Sequence, residues 1–484
     1  MRVLQNYVGG QWIDSTSRNL RQSFNPANHE ELLCKTQDSN PGDAATAIQA
    51  AENAFARWAR TPMPKRAALL QDFLSHFKSR EEEFVRAITR ENGKTLRESR
   101  TEYLAALKEA DFQVGQGRRV AGELRPSELP GVSCYLQREP LGVVTLITPW
   151  NFPLNVACRK LIPALIAGNT CVLKPSELTP MSAALLYESL HAAGLPPGVV
   201  NLVFGVGSVI GDTLVTHPAV KALSFTGSTE VGLGIAKKLA GRETKIQLEL
   251  GGKNPLVVLA DADITKAVEA AIIGGYSCSG QWCTSTSRVI VETAIYDTFL
   301  RALTERAKAI VVGDGTEEKV QMGPVCGKRQ YETILDFIAI GRKEGARLVI
   351  GGEALTEGQY AKGWFIEPTI FADVSPGLVI AKEEIFGPVL VVLRADDLSD
   401  AIRLANDTRY GLASSIYTRD LAKAQRFIAE SEVGLCHVNM HTAYKEPQLE
   451  FGGVKESGRG DPEAGDSGIE FFTRHKTVYL REQS

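Results

Sequence analysis

The chain has 484 residues, 44% of them hydrophobic, with 54 Lys and Arg against 57 Asp and Glu, which describes a soluble globular protein too long for one core. A formal net charge of −3 leaves no basic excess for phosphates or anionic lipid, so small molecules, not nucleic acid or membranes, are the expected partners. Eight Cys without a CxxC pair are too sparse for a disulfide scaffold, and MRVLQNYVGGQWIDS has no apolar core of signal-peptide length, so a cytoplasmic address is expected.

Between Asp43 and Arg60, Ala44, Ala47, Ile48, Ala51, Ala54, Phe55 and Trp58 recur every three or four positions, which predicts an amphipathic helix. Helical pattern continues through Pro64–Glu91 and Leu96–Gln116, so the first third reads as mostly helical. Strands are expected at Gly142–Thr148, Asn169–Leu173, Val199–Phe204, Lys221–Phe225 and Lys245–Leu250, with helices Leu154–Ala167, Pro180–Ala193 and Ser208–His217 among them. This βαβ alternation implies a parallel sheet covered on both faces. The uncharged run Leu141–Cys158 is broken by Pro149, Asn151, Pro153 and Asn155 and is no membrane span. After the paired Gly251 and Gly252 a second series begins. Its strands are Pro255–Ala260, Arg288–Glu292 and Pro388–Arg394, and its helices Ile264–Gly275, Ala294–Val311, Lys328–Gly345 and Leu398–Asn406. Arg118–Pro140 and Gly458–Ser484 fit neither series and suit an arm used for assembly.

Gly205, Gly207 and Gly211 follow a strand, but one residue too many separates the last two for G-x-G-x-x-G. Phe225–Gly232 (FTGSTEVG) is a better anion site: a strand stops at Gly227 and Ser228 opens a helix, an arrangement equally that of an ordinary Ser cap. Lys174 and Glu177 lie at a strand's carboxyl end, where doubly wound sheets bind ligands and where a plain ion pair would look the same. Cys283 stands in the polar stretch SGQWCTSTS and reads as an accessible thiol; Cys278 shares part of that setting, and residue type alone does not choose between them. Glu249 breaks an apolar strand before two glycines, as a buried general base or a buried ion pair would. Asn151, on a Pro-flanked turn, offers an amide for an oxyanion or an Asx-turn. His437 and His441 have HxxxH spacing, but the segment reads as strand and lacks the Glu of HExxH, so no metal is expected.

The order of PWNFP, KPSELTP, FTGSTEVG, ELGG, GQWC, EEIFGPV and FGGVKESG resembles the aldehyde dehydrogenase superfamily over essentially the whole chain. The resemblance implies an α/β fold: a Rossmann-like NAD(P)-binding domain (1–117 and 141–252), a second α/β catalytic domain (253–445), and a small bridging β-arm (118–140 and 458–484) that builds a homodimer or homotetramer. It assigns Cys283 as nucleophile in preference to Cys278, Asn151 as oxyanion donor and Glu249 as general base. On the cofactor side it implies Lys174 and Glu177 at the adenosine ribose, Gly227 and Ser228 at the pyrophosphate, Trp150 along the cleft, Glu384 on the nicotinamide ribose and Phe386 beside the ring. The cofactor implied is NAD, with NADP possible, and the partner a small-molecule aldehyde oxidised to its acid through a thioester that water cleaves.

Arg159 occupies the position where relatives acting on succinate or 2-oxoglutarate semialdehyde place an arginine for the distal carboxylate, and it lies one helical turn from Asn155. Ser277 stands where such relatives often have a second Arg, and Trp282 and His441–Gln448 also depart from the family pattern. A carboxylate-bearing semialdehyde is the expected substrate, with Arg159 and Trp282 lining its pocket. The alternatives are a dehydrogenase of uncharged aromatic or aliphatic aldehydes, a cofactor-free thiol hydrolase, and a catalytically idle structural protein on this scaffold.

Overall fold

The computed structural model describes residues 2–119 and 122–481. The first large sheet runs, edge to edge, Gly458–Arg459, Lys245–Glu249, Val220–Thr226, Val143–Ile147, Thr170–Lys174, Val200–Leu202, Asn6–Val8 and Gln11–Ile13. Its central strands are parallel. The chain starts at Val143–Ile147, works outward to Val200–Leu202, then crosses back to Val220–Thr226, so the strand order reverses beside Val143–Ile147. A ligand crevice lies outside the carboxyl ends at such a reversal. Those ends carry the segments with Trp150 and Asn151, Lys174, and Gly227 and Ser228. Val143–Ile147 and Thr170–Lys174 are buried on both faces, as β-branched and apolar runs in a parallel sheet must be.

Lys245–Glu249 leads through a short link into Asn254–Val258 of the second sheet. That sheet is ordered Arg347–Ile350, Thr369–Ala372, Val389–Ala395, Thr286–Glu292, Asn254–Val258, Ala413–Tyr417 and Leu435–Val438. Only its Arg347–Ile350 edge is antiparallel. The glycine pair therefore stands at the passage between the sheets. Among the described residues no helix is long and apolar enough to cross a membrane.

Two expectations need correction. The first third is not mostly helical from its start: before the capped helix Pro41–Arg60, five strands occupy Arg2–Leu4, Asn6–Val8, Gln11–Ile13, Leu20–Asn25 and Asn28–Gln37. They are short or half-solvated and carry no continuous apolar run. The tail also does not form one arm. Gly458–Arg459 pairs with Leu248 and Glu249 in the first sheet, and only Thr473–Arg481 pairs with Val132–Pro140 in a separate three-stranded sheet completed by Glu123–Arg125.

Candidate active site

Cys283 is half-buried on the loop between the helix Ile264–Tyr276 and the strand Thr286–Glu292. The Asn254 amide holds that loop by donating to the Cys283 carbonyl at 2.8 Å and the Ser285 carbonyl at 2.9 Å. Gly280 has φ +70, and a Cβ there would stand 2.1 Å from the Gly387 carbonyl oxygen. Only glycine lets the Cys283 loop pass this close to the segment bearing Glu384 and Phe386. Cys278 is buried with its backbone left-handed, donates its N–H to Glu98 at 2.7 Å, and has its thiol pushed well up by burial. The structure thus separates the two cysteines, and the reachable one is Cys283.

Glu249 ends its strand beside Thr226 on one side and Gly458 on the other, its Oε1 is buried with no hydrogen-bond partner among the described residues, and its charge bears on the Cys283 thiol. Burial and then the Glu463 carboxylate push Glu249 up to about 7, while Arg159 and Lys160 pull it down. Burial and Glu249 together raise the Cys283 thiol well above its ordinary value. A cavity of about 30 Å³ lies among Glu249, Glu463, Phe451 and Gly458, room for one water.

Asn151 is buried, and its amide donates to the Gln281 carbonyl at 3.1 Å, two residues before Cys283. The Pro-flanked turn is stapled from below: Asn92 donates to the Trp150 carbonyl at 2.9 Å, and Lys94 donates to the Asn151 carbonyl while sitting 3.5 Å from the centre of the Phe152 ring. Lys94 is itself buried against Glu102, which accepts the N–H groups of Leu154 and Asn155.

On the other side of Cys283, the Glu384 carboxylate accepts the Gly252 N–H at 2.9 Å, and a Cβ on Gly251 would meet it at 2.2 Å. Burial pushes Glu384 up to about 7. Phe386, held left-handed at φ 55, meets Trp150 edge-on at 5.4 Å. Lys174 ends its strand, donates to the Pro175 carbonyl at 3.0 Å and lies 3.5 Å from Glu177. Ser228 caps the helix Thr229–Lys238, with the Val231 N–H 3.5 Å from its hydroxyl. A carboxylate and an ammonium at the strand end, a glycine-led helix start, and a second carboxylate facing paired glycines beside aromatic rings are donors of the kind that a nicotinamide dinucleotide can use.

Trp282 packs on Phe152, their ring centres 5.1 Å apart. Arg159 departs from expectation: its guanidinium does not stand open to the pocket. It is buried, 3.1 Å from Glu109 and 3.5 Å from Glu463, donates to the Asn155 side chain at 2.9 Å, and lies 4.3 Å from the centre of the Phe451 ring. Burial opposes its charge, yet Glu109 and Glu463 outweigh that and hold its pKa above the ordinary arginine value. Lys160 also pairs with Glu463, and Lys445 with Glu109. Glu109, Glu463 and Lys160 carry no signal in the sequence, while Lys445 lies within the His441–Gln448 segment that departs from the family pattern. Truncation of Arg159 removes its bonds to Glu109, Glu463 and Asn155 and its contact with the Phe451 ring and opens a cavity in a dry interior, so Arg159→Ala is expected to cost about 2–5 kcal/mol of stability. Thermal unfolding checks this; an unchanged melting temperature would mean the network is not structural.

The aldehyde dehydrogenase family model matches residues 12–478, and the chain belongs to that family. It is 40% identical over 476 residues to the alpha-ketoglutaric semialdehyde dehydrogenase of Bacillus subtilis, covering 98% of each chain. It is 43% identical over 481 residues to the 2,5-dioxopentanoate dehydrogenase of Saccharolobus solfataricus, covering 98% of this chain and 99% of that one. The crystal structure of betaine aldehyde dehydrogenase from Staphylococcus aureus superimposes with a TM-score of 0.96 at 36% identity, covering 98% of this chain and 94% of the other.

Proposed function

We propose that this aldehyde dehydrogenase oxidises a short semialdehyde bearing a carboxylate, of the 2-oxoglutarate semialdehyde type, to the dicarboxylic acid with NAD. The observation that carries the chemistry is the convergence of Cys283, Glu249 and Asn151 at the crevice between the two sheets. Two relatives named for 2-oxoglutarate semialdehyde and 2,5-dioxopentanoate, each about 40% identical end to end, support the substrate class. The S. aureus neighbour was crystallised with NAD+, which supports the cofactor.

Glu249 takes the thiol proton, and the Cys283 thiolate forms a C–S bond to the aldehyde carbon as the carbonyl electrons move onto oxygen. That oxyanion is held by the Asn151 side-chain amide and the Cys283 backbone N–H. NAD, when bound by Lys174, Glu177, Ser228 and Glu384 beside Trp150 and Phe386, supplies the hydride acceptor that makes the oxidation possible. Glu249, once it has released the thiol proton to solvent, draws a proton from water, the oxygen attacks the thioester, and Cys283 leaves as the thiol by taking that proton back from Glu249. Glu177 beside the ribose favours a 2′-hydroxyl and repels a 2′-phosphate.

The exposed Leu124, Tyr479 and Leu480 on the three-stranded arm support its use in a homodimer or homotetramer, and sparse cysteines support a cytoplasmic address. Initial rates on an aldehyde panel with NAD and NADP test the reading: it requires the highest kcat/KM for a carboxylate-bearing semialdehyde with NAD, and a preference for benzaldehyde would reverse it. Because Glu249 works as a base only when ionised, deacylation is expected to fall about tenfold per unit as pH drops below about 7. A kcat profile that stays flat to pH 5 would remove Glu249 as the base.

A further inference from the structure

Around the inner end of the substrate side, Arg159, Lys160 and Lys445 share the carboxylates of Glu109 and Glu463. Lys160 bonds to Glu463, Lys445 bonds to Glu109, and Arg159 reaches both carboxylates, so three cations share two anions. One cation is left over, and Glu249 offsets it only while ionised. An unmatched charge in a dry interior is costly and is relieved by an arriving anion.

The three cations are not equally reachable. The Arg159 and Lys160 side chains are 5% and 0% exposed, whereas Lys445 is 18% exposed. The Lys445 ammonium bonds to Glu109 and to the Asn155 side-chain oxygen at 2.7 Å, which leaves one of its three N–H donors free. Its loop is fastened to the nucleophile segment, since Thr442 donates to the Thr284 carbonyl at 2.6 Å and contacts Thr286 at 2.9 Å. Lys445 is close enough to Cys283 for that residue's charge to act on it. The His437 ring, within 2.9 Å of the Tyr444 carbonyl, holds the loop from behind.

We infer that Lys445 is the specificity-determining residue of this enzyme, its free N–H receiving the distal carboxylate of the substrate while Arg159 stays with Glu109 and Glu463 as scaffold. This rests on the carboxylate-semialdehyde reading and explains how a chain with Ser277 in place of a second arginine still presents a reachable cation. The other groups around the ammonium are Glu109 and the neutral side chains of Asn155 and Phe451.

The test compares wild type with Lys445→Met and Lys445→Arg on 5-oxopentanoate and on pentanal, which match in length and differ in the carboxylate. Lys445→Met should lose on the order of ten- to hundredfold in kcat/KM for 5-oxopentanoate, mostly through KM, and less than about threefold for pentanal, with Lys445→Arg restoring much of the loss. Glu109 keeps Arg159 in the Met variant, so its melting temperature should stay close to wild type. Equal losses on both aldehydes, or an undiminished preference for 5-oxopentanoate, would overturn the assignment of Lys445. A wild type that does not prefer 5-oxopentanoate over pentanal would overturn the substrate reading itself, whatever the variants do.

Discussion

Cys283→Ala should abolish aldehyde oxidation, with a fall of at least about 10⁴-fold in kcat, because no other group in the site can make the covalent bond. Cys278 cannot substitute: it is buried, whereas Cys283 is half-buried, and its backbone is tied down by the N–H bond to Glu98 on the helix Leu96–Gly115. NAD affinity should change little, since Lys174, Glu177, Ser228 and Glu384 lie on other segments. Stopped-flow absorbance at the reduced-nicotinamide band and equilibrium titration of NAD together check this. Turnover above a trace would place the nucleophile elsewhere, and lost NAD binding would show that the loop had collapsed.

Glu249→Gln should separate the two halves of the reaction. The glutamine cannot draw a proton from water, so steady-state turnover should drop by about 10²–10⁴-fold, the usual contribution of a general base. Acylation can still proceed with solvent as proton acceptor, because removing the carboxylate also removes one of the influences that push the Cys283 thiol up. A burst of reduced cofactor near one equivalent per site, followed by a stall, is therefore expected. Equal slowing of both phases would assign Glu249 to the first proton transfer alone.

The parallel strands around the cofactor crevice were legible because Gly142–Thr148 and its neighbours are continuous β-branched runs. Ala413–Tyr417 was not, although it is buried throughout, because Ser414 and Ser415 make it look polar; their hydroxyls are satisfied by Ser431 and by the Met440 carbonyl. The residues proposed to touch the reacting atoms sit in motifs whose glycines have local causes, such as Gly280 against Gly387 and Gly251 against Glu384. The network behind them has no local signature. Glu109 lies in a helix whose charge pattern reads as a solvated face, and its partner Arg159 is 50 residues away; Glu463 is 304 residues from Arg159 in a tail that reads as an arm. Arg159 looked free for substrate because nothing within a helical window could show which carboxylates claim it.

The most direct test of thioester chemistry on a carboxylate-bearing aldehyde is peptide mass spectrometry of Glu249→Gln enzyme quenched in acid after mixing with NAD and 2-oxoglutarate semialdehyde. The expected result is the acyl mass of the dicarboxylic acid on the peptide containing Cys283, absent without NAD and lost on treatment with hydroxylamine. An unmodified Cys283 peptide in enzyme that has produced its burst of reduced cofactor would contradict it.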